Sequence, residues 1–329
     1  MANIQQVAQK AGVSVATVSR VLNNIGAVTP ETRLKVENAI KELNYEPSML
    51  GRNLRNSESR LLLVLIPSIS NPFYTEIING IENIAIQNHY NILLCQTDSN
   101  PQRENIYFNM VKNKLADGVI SMDPTVNMVK LNELAEKFPV ILCSEYEEGG
   151  TIPYVTIDSE LAAYHAVKHL IKLGNKKIAM INSDEKFLYA RQRRKGYERA
   201  LEEFGLPIRK EWIYNTSQPD FENGVHAMRM LLQTDEKPTG IFVVSDTLAI
   251  GVIKEMNTCG LKAPDDIAIV GFDNINFSNM TNPTLTTVAQ PMYKMGTTAA
   301  KMLINRIKGY KVENMVLDYE LIIRQSTMG

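Results

Sequence analysis

From Leu61 onward the chain repeats a pattern that few folds can accommodate: a short, unbroken apolar run followed by a longer amphipathic stretch. LLLVLIP precedes FYTEIINGIENIAIQNHY, NILLCQT precedes a segment ending in YFNMVKNKL, and DGVISM and PVILCSE complete a first series. A second series runs through KIAMINS, EWIYNT, GIFVVSD and IAIVGFD, interleaved with stretches around RRKGYERALEEFG, GVHAMRMLLQ and LAIGVIKEMNTCG. A strand that is apolar on both faces has no solvated side, so it belongs inside a sheet covered by helices above and below, which makes that sheet parallel. Two such series in tandem predict two doubly wound α/β lobes.

The first 60 residues follow a different period. Ile4, Val7, Ala8 and Ala11 fall at i, i+3, i+4 and i+7, so IQQVAQKA reads as a helix with one apolar stripe, stopped by Gly12. Ser14 can cap a second helix, in which Val15, Val18 and Leu22 make an apolar row while Ala16, Thr17, Ser19, Arg20 and Asn23 stay small, polar or basic. Thr29 and Pro30 announce a third helix with Val36, Ala39, Ile40 and Leu43 facing inward. Two short helices joined by a tight glycine turn have the form of a helix-turn-helix, whose second helix enters the major groove of DNA. Spacing alone leaves an ordinary three-helix bundle open. Beyond Pro47, SMLGRNLRN offers about two turns of helix, well short of the roughly 12 to 15 residues an isolated helix needs in water, so it should order only when held.

Bulk properties narrow the class. With 329 residues, 44% of them hydrophobic, the chain can fill more than one core. Residues 1–60 carry eight Lys and Arg against five Asp and Glu, leaving +3, while the whole chain is at −1. The basic excess sits on the helix-turn-helix, as a DNA-binding head on a near-neutral body requires. Cys95, Cys143 and Cys259 are odd in number and widely spaced, which suits a reducing cytoplasm and not a disulfide framework. The sequence shows neither a secretory leader nor an apolar run of membrane-spanning length, so no membrane association is expected. His165 and His169 share one helical face without a third ligand or an H-E-x-x-H, and the glycines form no phosphate or dinucleotide loop; no metal or other cofactor is expected.

Sheets of this kind bind ligands beyond the carboxyl ends of their strands. There, SISNPFY places Phe73 and Tyr74 at a helix start, LYARQRRKGY opens a helix with Arg191, Arg193 and Arg194, and IAIVGFDN leaves Asp273 just past a strand. A guanidinium and a carboxylate facing one cleft can orient neutral molecules rich in hydroxyls or ring nitrogens. The residues alone leave blander readings open: core aromatics, a solvated basic trio, and an aspartate that caps a turn.

VAQKAGVSVATVSRVLN, then TRLKVENAIKELNYEPS, then GRNLRN, together with the two-lobed body, resemble the lactose/galactose repressor family of bacterial transcription regulators along the whole chain. The resemblance implies a helix-turn-helix head at 1–45 and a hinge helix or linker at 46–60. It implies a body at 61–329 that crosses between lobes near Asp158, Gln290 and Leu317, giving an N-lobe of about 61–158 plus 291–317 and a C-lobe of about 159–290 plus 318–329. Ser14, Val15, Ala16, Thr17, Ser19, Arg20 and Asn23 supply the recognition-helix contacts, with Val15 and Ala16 matching the base-reading pair. Tyr45 matches a backbone-contacting tyrosine, Leu54 a hinge wedge between base pairs, and Arg55 a minor-groove contact. Lys10, Arg20, Arg33 and Arg52 are candidate phosphate partners. In the body, Arg193 and Asp273 match ligand-contacting residues, Phe73 and Tyr74 an aromatic wall, and Ser245, Asp246 and Asp158 cleft-edge positions.

MLGRNLRNSESRLLLVLIPSISNPFYTEIINGIE, GFDNINFSNMTNPTLTTVAQPMYKMG and ELIIRQST are most similar to the cytidine repressor branch. Pro219 stands where nucleobase-binding relatives carry an aromatic residue, so a stacking partner has to come from Phe73, Tyr74 or Phe221. The implied protein is a cytoplasmic homodimer that represses from a palindromic operator in double-stranded DNA and responds to a small-molecule effector, a nucleoside before a sugar. Control by a phosphocarrier protein, or an enzyme acting on nucleosides or sugars, are the alternatives.

Overall fold

The computed structural model describes residues 2–23, 25–45, 58–123 and 128–328. They divide into two compact units, Met1–Ser59 and Arg60–Gly329. The hinge positions Gly51, Arg52, Leu54 and Arg55 lie outside the described residues, as does the side chain of Asn23.

The first unit holds three helices, α1 (Ile4–Ala11), α2 (Val15–Asn23) and α3 (Pro30–Glu42). Each start is fixed by a short polar side chain satisfying backbone N–H groups that have no partner within the helix. Asn3 and Gln6 form a reciprocal capping box at α1, the Ser14 hydroxyl accepts from Thr17 N at 3.2 Å, and Thr29 accepts from Thr32 N at 3.3 Å. Gly12 ends α1 at φ 65°, a left-handed conformation that glycine adopts without steric penalty. Val7, Ala8, Ala11, Val18, Val21, Val36 and Ala39 form the core. The inward row of α2 therefore differs from the one the spacing predicts. Val21 takes the inner place with Val18, while Val15, in the first turn and beyond the reach of α1 and α3, is 36% exposed.

In the second unit, β1 (Leu61–Ile66), β2 (Asn91–Gln96), β3 (Gly118–Ser121), β4 (Val140–Cys143), β5 (Tyr154–Ile157) and β11 (Met315–Leu317) form one sheet in the order β2-β1-β3-β4-β5-β11. A second sheet takes β6 (Ile178–Asn182), β7 (Ile213–Asn215), β8 (Gly240–Val243), β9 (Ala268–Asp273), β10 (Thr286–Ala289) and β12 (Glu320–Ile322) in the order β7-β6-β8-β9-β10-β12. β1 shows why its sequence is unbroken: Leu62, Val64 and Ile66 enter one apolar cluster while Leu63 and Leu65 enter another on the opposite face. Alternate side chains of one strand thus serve two cores, and neither parity can be polar.

The layers on the first sheet are α4 (Phe73–Gln87), α5 (Pro101–Lys112), α6 (Met128–Ala135) and α11 (Met292–Ile307). Those on the second are α7 (Ser159–Lys172), α8 (Leu188–Glu203), α9 (Phe221–Leu231) and α10 (Asp246–Thr258). The chain passes between the sheets at Asp158, at Gln290 and Pro291, and at Asp318 and Tyr319. The last passage leaves only two residues between strands, too few for a helical crossover, so β12 enters antiparallel to β10 in sheets otherwise parallel.

Helix pairs beneath the cleft pack at backbone contact. A Cβ at Gly196 of α8 would lie 2.1 Å from the Glu160 carbonyl oxygen of α7. Glycine there lets α8 seat against α7 and carries Arg193, three residues earlier, to the cleft side of the lobe.

Candidate functional site

The head presents one polar helix face. Ser14, Val15, Ala16 and Arg20 are exposed on α2, with Thr17 and Ser19 half-buried between them. Small side chains at Ser14 and Ala16 leave the helix start able to approach a surface closely, and Arg20 adds positive charge in the last turn. Tyr45 packs its ring on the head core while remaining partly accessible. Lys10 is held by Glu42 at 2.6 Å, so as a phosphate partner it would have to exchange one anion for another.

In the second unit the strand ends of the two sheets face each other across a cleft with two connecting chambers. The larger, about 300 Å³, lies between Ser68, Asn71, Tyr74, Asp123 and Glu145 on one side and Phe187, Tyr189 and Pro219 on the other. That volume is at the lower end of the range of small-molecule sites. The smaller, about 50 Å³, continues inward past Phe73, Ser144 and Ser245 to Arg193 and Asp273.

Arg193 and Asp273 meet at the back of the inner chamber, Nη1 to Oδ1 3.7 Å, each more than nine-tenths buried. The guanidinium lies 3.5 Å from the Phe272 ring centroid and 4.9 Å from that of Tyr189, and Nη1 donates to the Val244 carbonyl. Among the described residues, Arg193 Nε has no partner. Gln290 donates to Asp273 Oδ1 at 2.8 Å. Burial pushes the Asp273 carboxyl up to about 6, against the pull of Arg193 and Gln290. Asp273 also holds φ 117°, a conformation L residues rarely adopt, and such strain collects where a side chain has to be aimed.

Phe73 and Tyr74 form an edge-to-face pair with centroids 5.2 Å apart. Phe73 belongs to the core and also lines the inner chamber, while Tyr74 lines both chambers. Burial, then the nearby carboxyls of Asp123, Glu145 and Asp273, hold the Tyr74 phenol well above its usual range. Ser245 caps α10 through Leu248 N at 3.4 Å and lines the inner chamber.

Three cleft candidates sit elsewhere. Phe221, the first residue of α9, lies with Ile250, Phe277 and Met280 in an apolar groove that adjoins the larger chamber at Ser70 and Thr247, and lines neither chamber. Its place in the first turn directs it to α10, so it supplies no stacking face at Pro219. Asp246 is fully buried and accepts from Thr287 Oγ1 at 2.6 Å and Ile275 N at 3.0 Å, which ties β10 and the loop after β9 to the start of α10. Asp158 caps α7 through Leu161 N at 2.9 Å. His165 and His169 each meet a hydroxyl, of Tyr319 at 3.0 Å and Thr327 at 3.1 Å, and among the described residues no group of three His, Cys, Asp or Glu is placed to hold a metal ion.

Two carboxyls in the larger chamber escaped the reading by sequence. Asp123 follows β3 and Glu145 follows β4, so both stand at carboxyl ends of strands, the signal that had pointed to Asp273. Glu145 reaches from the first lobe to the second, accepting from Leu188 N at 2.9 Å and Tyr189 N at 3.0 Å at the start of α8. Burial nevertheless pushes it up to about 7. Tyr146 takes a second link across the lobes from Gln192 at 3.0 Å.

Residues 3–48 match the model of bacterial regulatory proteins of the lacI family, and residues 167–327 match a periplasmic binding protein-like domain. Catabolite control protein A of Priestia megaterium is 41% identical over 328 residues, 98% of each chain. The transcriptional repressor CytR of Escherichia coli K12 is 36% identical over 329 residues, 99% of this chain and 96% of that one. Among solved structures, the lac repressor dimer bound to operator and the anti-inducer ONPF superposes with a TM-score of 0.90 at 25% identity, covering 100% of this chain and 99% of that chain. No described helix is long and apolar enough to cross a membrane.

Proposed function

This chain belongs to the lacI family of bacterial regulatory proteins and is a DNA-binding transcriptional regulator, and from that premise we propose that a small molecule held in the interlobe cleft sets its grip on operator DNA. The observation that carries the effector half of this reading is the pair at the back of the cleft. Arg193 and Asp273 are buried, 3.7 Å apart, and Arg193 Nε lacks a partner among the described residues. A buried charged donor is stabilised by any acceptor delivered to it, and a ring nitrogen or hydroxyl of a nucleoside fits a chamber walled by Tyr74 and Tyr189.

The DNA half rests on the exposed face of α2. Val15 and Ala16 read base edges in the major groove, and Ser14, Thr17, Ser19, Arg20 and Asn23 add groove and phosphate contacts. Tyr45 contacts the backbone, and Leu54 and Arg55 engage the minor groove at the operator centre. The protein works in the cytoplasm as a homodimer on a two-fold symmetric site, and represses by occupying it. Effector binding changes the relative stability of two lobe arrangements and so the spacing of the paired hinge segments. Selection of binding sites from random DNA, with and without cytidine or adenosine, tests both halves. A two-fold symmetric consensus whose recovery changes with nucleoside is expected; recovery of no symmetric sequence under any condition overturns the reading.

A further inference from the structure

The larger chamber of the cleft has a charge balance that the Arg193 and Asp273 pair does not explain. Asp123, Glu145 and Asp220 line it, and among the described residues no lysine or arginine does. Lys186, whose charge reaches Asp123, is already bound to Asp184 at 3.1 Å.

Asp123 is built in and left half used. It is 1% exposed, and its Oδ2 accepts the hydroxyls of Thr97 at 2.7 Å and Ser99 at 2.8 Å. Those two bonds fix the plane of the carboxyl. Among the described residues its Oδ1 has no hydrogen-bond partner, and the residue lines the chamber. A buried carboxyl oxygen without a donor is unfavourable unless a bound molecule supplies one. Glu145 faces the same space, each of its oxygens taking one backbone N–H and retaining a second lone pair.

We infer that this side of the cleft recognises an amino nitrogen, so that the effector is an uncharged or cationic small molecule carrying an NH2 or NH3+ group and is not a phosphorylated or otherwise anionic one. A hydroxyl brings a single proton, whereas an amino group brings two or three donors and no competing acceptor lone pair when conjugated or protonated. It is therefore the group that can satisfy Asp123 and Glu145 together. A phosphate placed in the same chamber would meet carboxyls on its walls, with the charges of Arg193 and Arg191 reaching only its Glu145 side. This deepens the reading of the cleft as an effector site and rests on it.

Calorimetry with the full-length protein tests it through pairs that differ only in the amino group: cytidine against uridine, adenosine against inosine, and glucosamine against glucose, with cytidine 5′-monophosphate as the anionic comparator. The amino member of at least one pair is expected to bind about tenfold or more tightly than its partner and than the phosphorylated form. In Asp123→Asn, whose amide presents a donor as well as an acceptor, that preference should shrink to about threefold or less, with far-UV circular dichroism as the folding check. Equal binding within every pair, tighter binding of the monophosphate, no binding by any member, or a preference untouched in Asp123→Asn would each overturn the inference. The wild-type comparisons decide even if the variant does not fold. Operator affinity is measured alongside. A preferred amino ligand that leaves operator affinity unchanged would count against effector control while the chemistry of the chamber stands; a ligand that changes operator affinity without regard to its amino group does the opposite.

Discussion

Glu104 offers a test of how the floor of the first lobe is stabilised, through the substitution Glu104→Gln. It sits in α5, 1% exposed, with Oε2 unpartnered among the described residues. Burial, followed by the charge of Asp123, pushes its carboxyl up to about 8. The native state therefore keeps a proton that the unfolded chain has released, throughout the window between the ordinary carboxylate value and about 8. Proton binding to the native state alone makes stability fall as pH rises, by about 1.4 kcal/mol per pH unit for one proton. The contribution is fully present below the unfolded value and is lost progressively on the way to the folded one. From pH 5.5 to 7.5 this one group should remove about 2 to 3 kcal/mol from the wild-type protein. Glutamine fills the same space and cannot ionise, so the variant should gain that amount relative to wild type over the same interval. Asp123 and Glu145, also pushed up by burial, slope the same way but are present in both proteins and largely cancel in the comparison. Urea denaturation followed by circular dichroism at pH 5.5, 6.5 and 7.5 reads the difference. Parallel pH profiles for the two proteins would refute the reasoning, because they would mean that Glu104 ionises in the native state as easily as in water.

Further consequences follow from the packing and from the two binding surfaces. Gly196→Ala places a methyl 2.1 Å from the Glu160 carbonyl oxygen, so α7 and α8 must separate; a loss of about 1 to 3 kcal/mol or more in urea denaturation is expected, and a wild-type midpoint would contradict the close approach. Arg193→Lys keeps the charge but loses the planar fork over Phe272, and should lower effector affinity by about tenfold or more with unchanged operator affinity in the absence of effector; equal losses in both assays would contradict a modular design. Arg20→Ala should weaken operator binding and reduce the slope of log affinity against log salt by about 1 per head if Arg20 meets a phosphate; an unchanged slope removes it from the backbone contacts.

The strands most plainly legible in the sequence, β1, β3, β4, β6, β8 and β9, are buried on both faces; the edge strands β2 and β7 were read beside them, and β5 was missed. β1 needs Leu62 to Ile66 to be apolar without a break because consecutive residues enter different clusters, and β4 obeys the same demand, while β8 and β9 are buried along their length within one cluster. β10, β11 and β12 gave no comparable signal. They have three or four residues, TTVA, MVL and ELI, and β11 and β12 carry exposed positions that a sheet-edge location permits. Their pairing comes from the strands already in place beside them, which is tertiary information. The cleft was legible where residue type and strand end coincided at Arg193 and Asp273. Asp123 and Glu145 met the same rule at β3 and β4 but were not singled out, since nothing in a sequence reveals that Thr97, Ser99 and the start of α8 will close around them. Phe221 was the converse case. An aromatic side chain close in sequence to Pro219 does not line the chamber; it lies in the adjoining groove with Ile250 and Met280.

The two chambers divide the lobes' contributions in a way that bears on how a ligand could act. Tyr74, Asp123 and Glu145 come from the first lobe, and Tyr189, Arg193 and Asp273 from the second. A small molecule shifts an equilibrium between lobe arrangements only by contacting one arrangement better than the other, and a ligand touching both sets does so by geometry. Glu145 already joins the lobes through two charge-assisted bonds to α8, and Gln192 adds a third link to Tyr146. An amino group that draws on Glu145 would therefore act on the same carboxylate that holds the lobes together. Recognition and lobe position would then share one residue, and no separate relay through the protein core is required between the ligand and the lobes it moves.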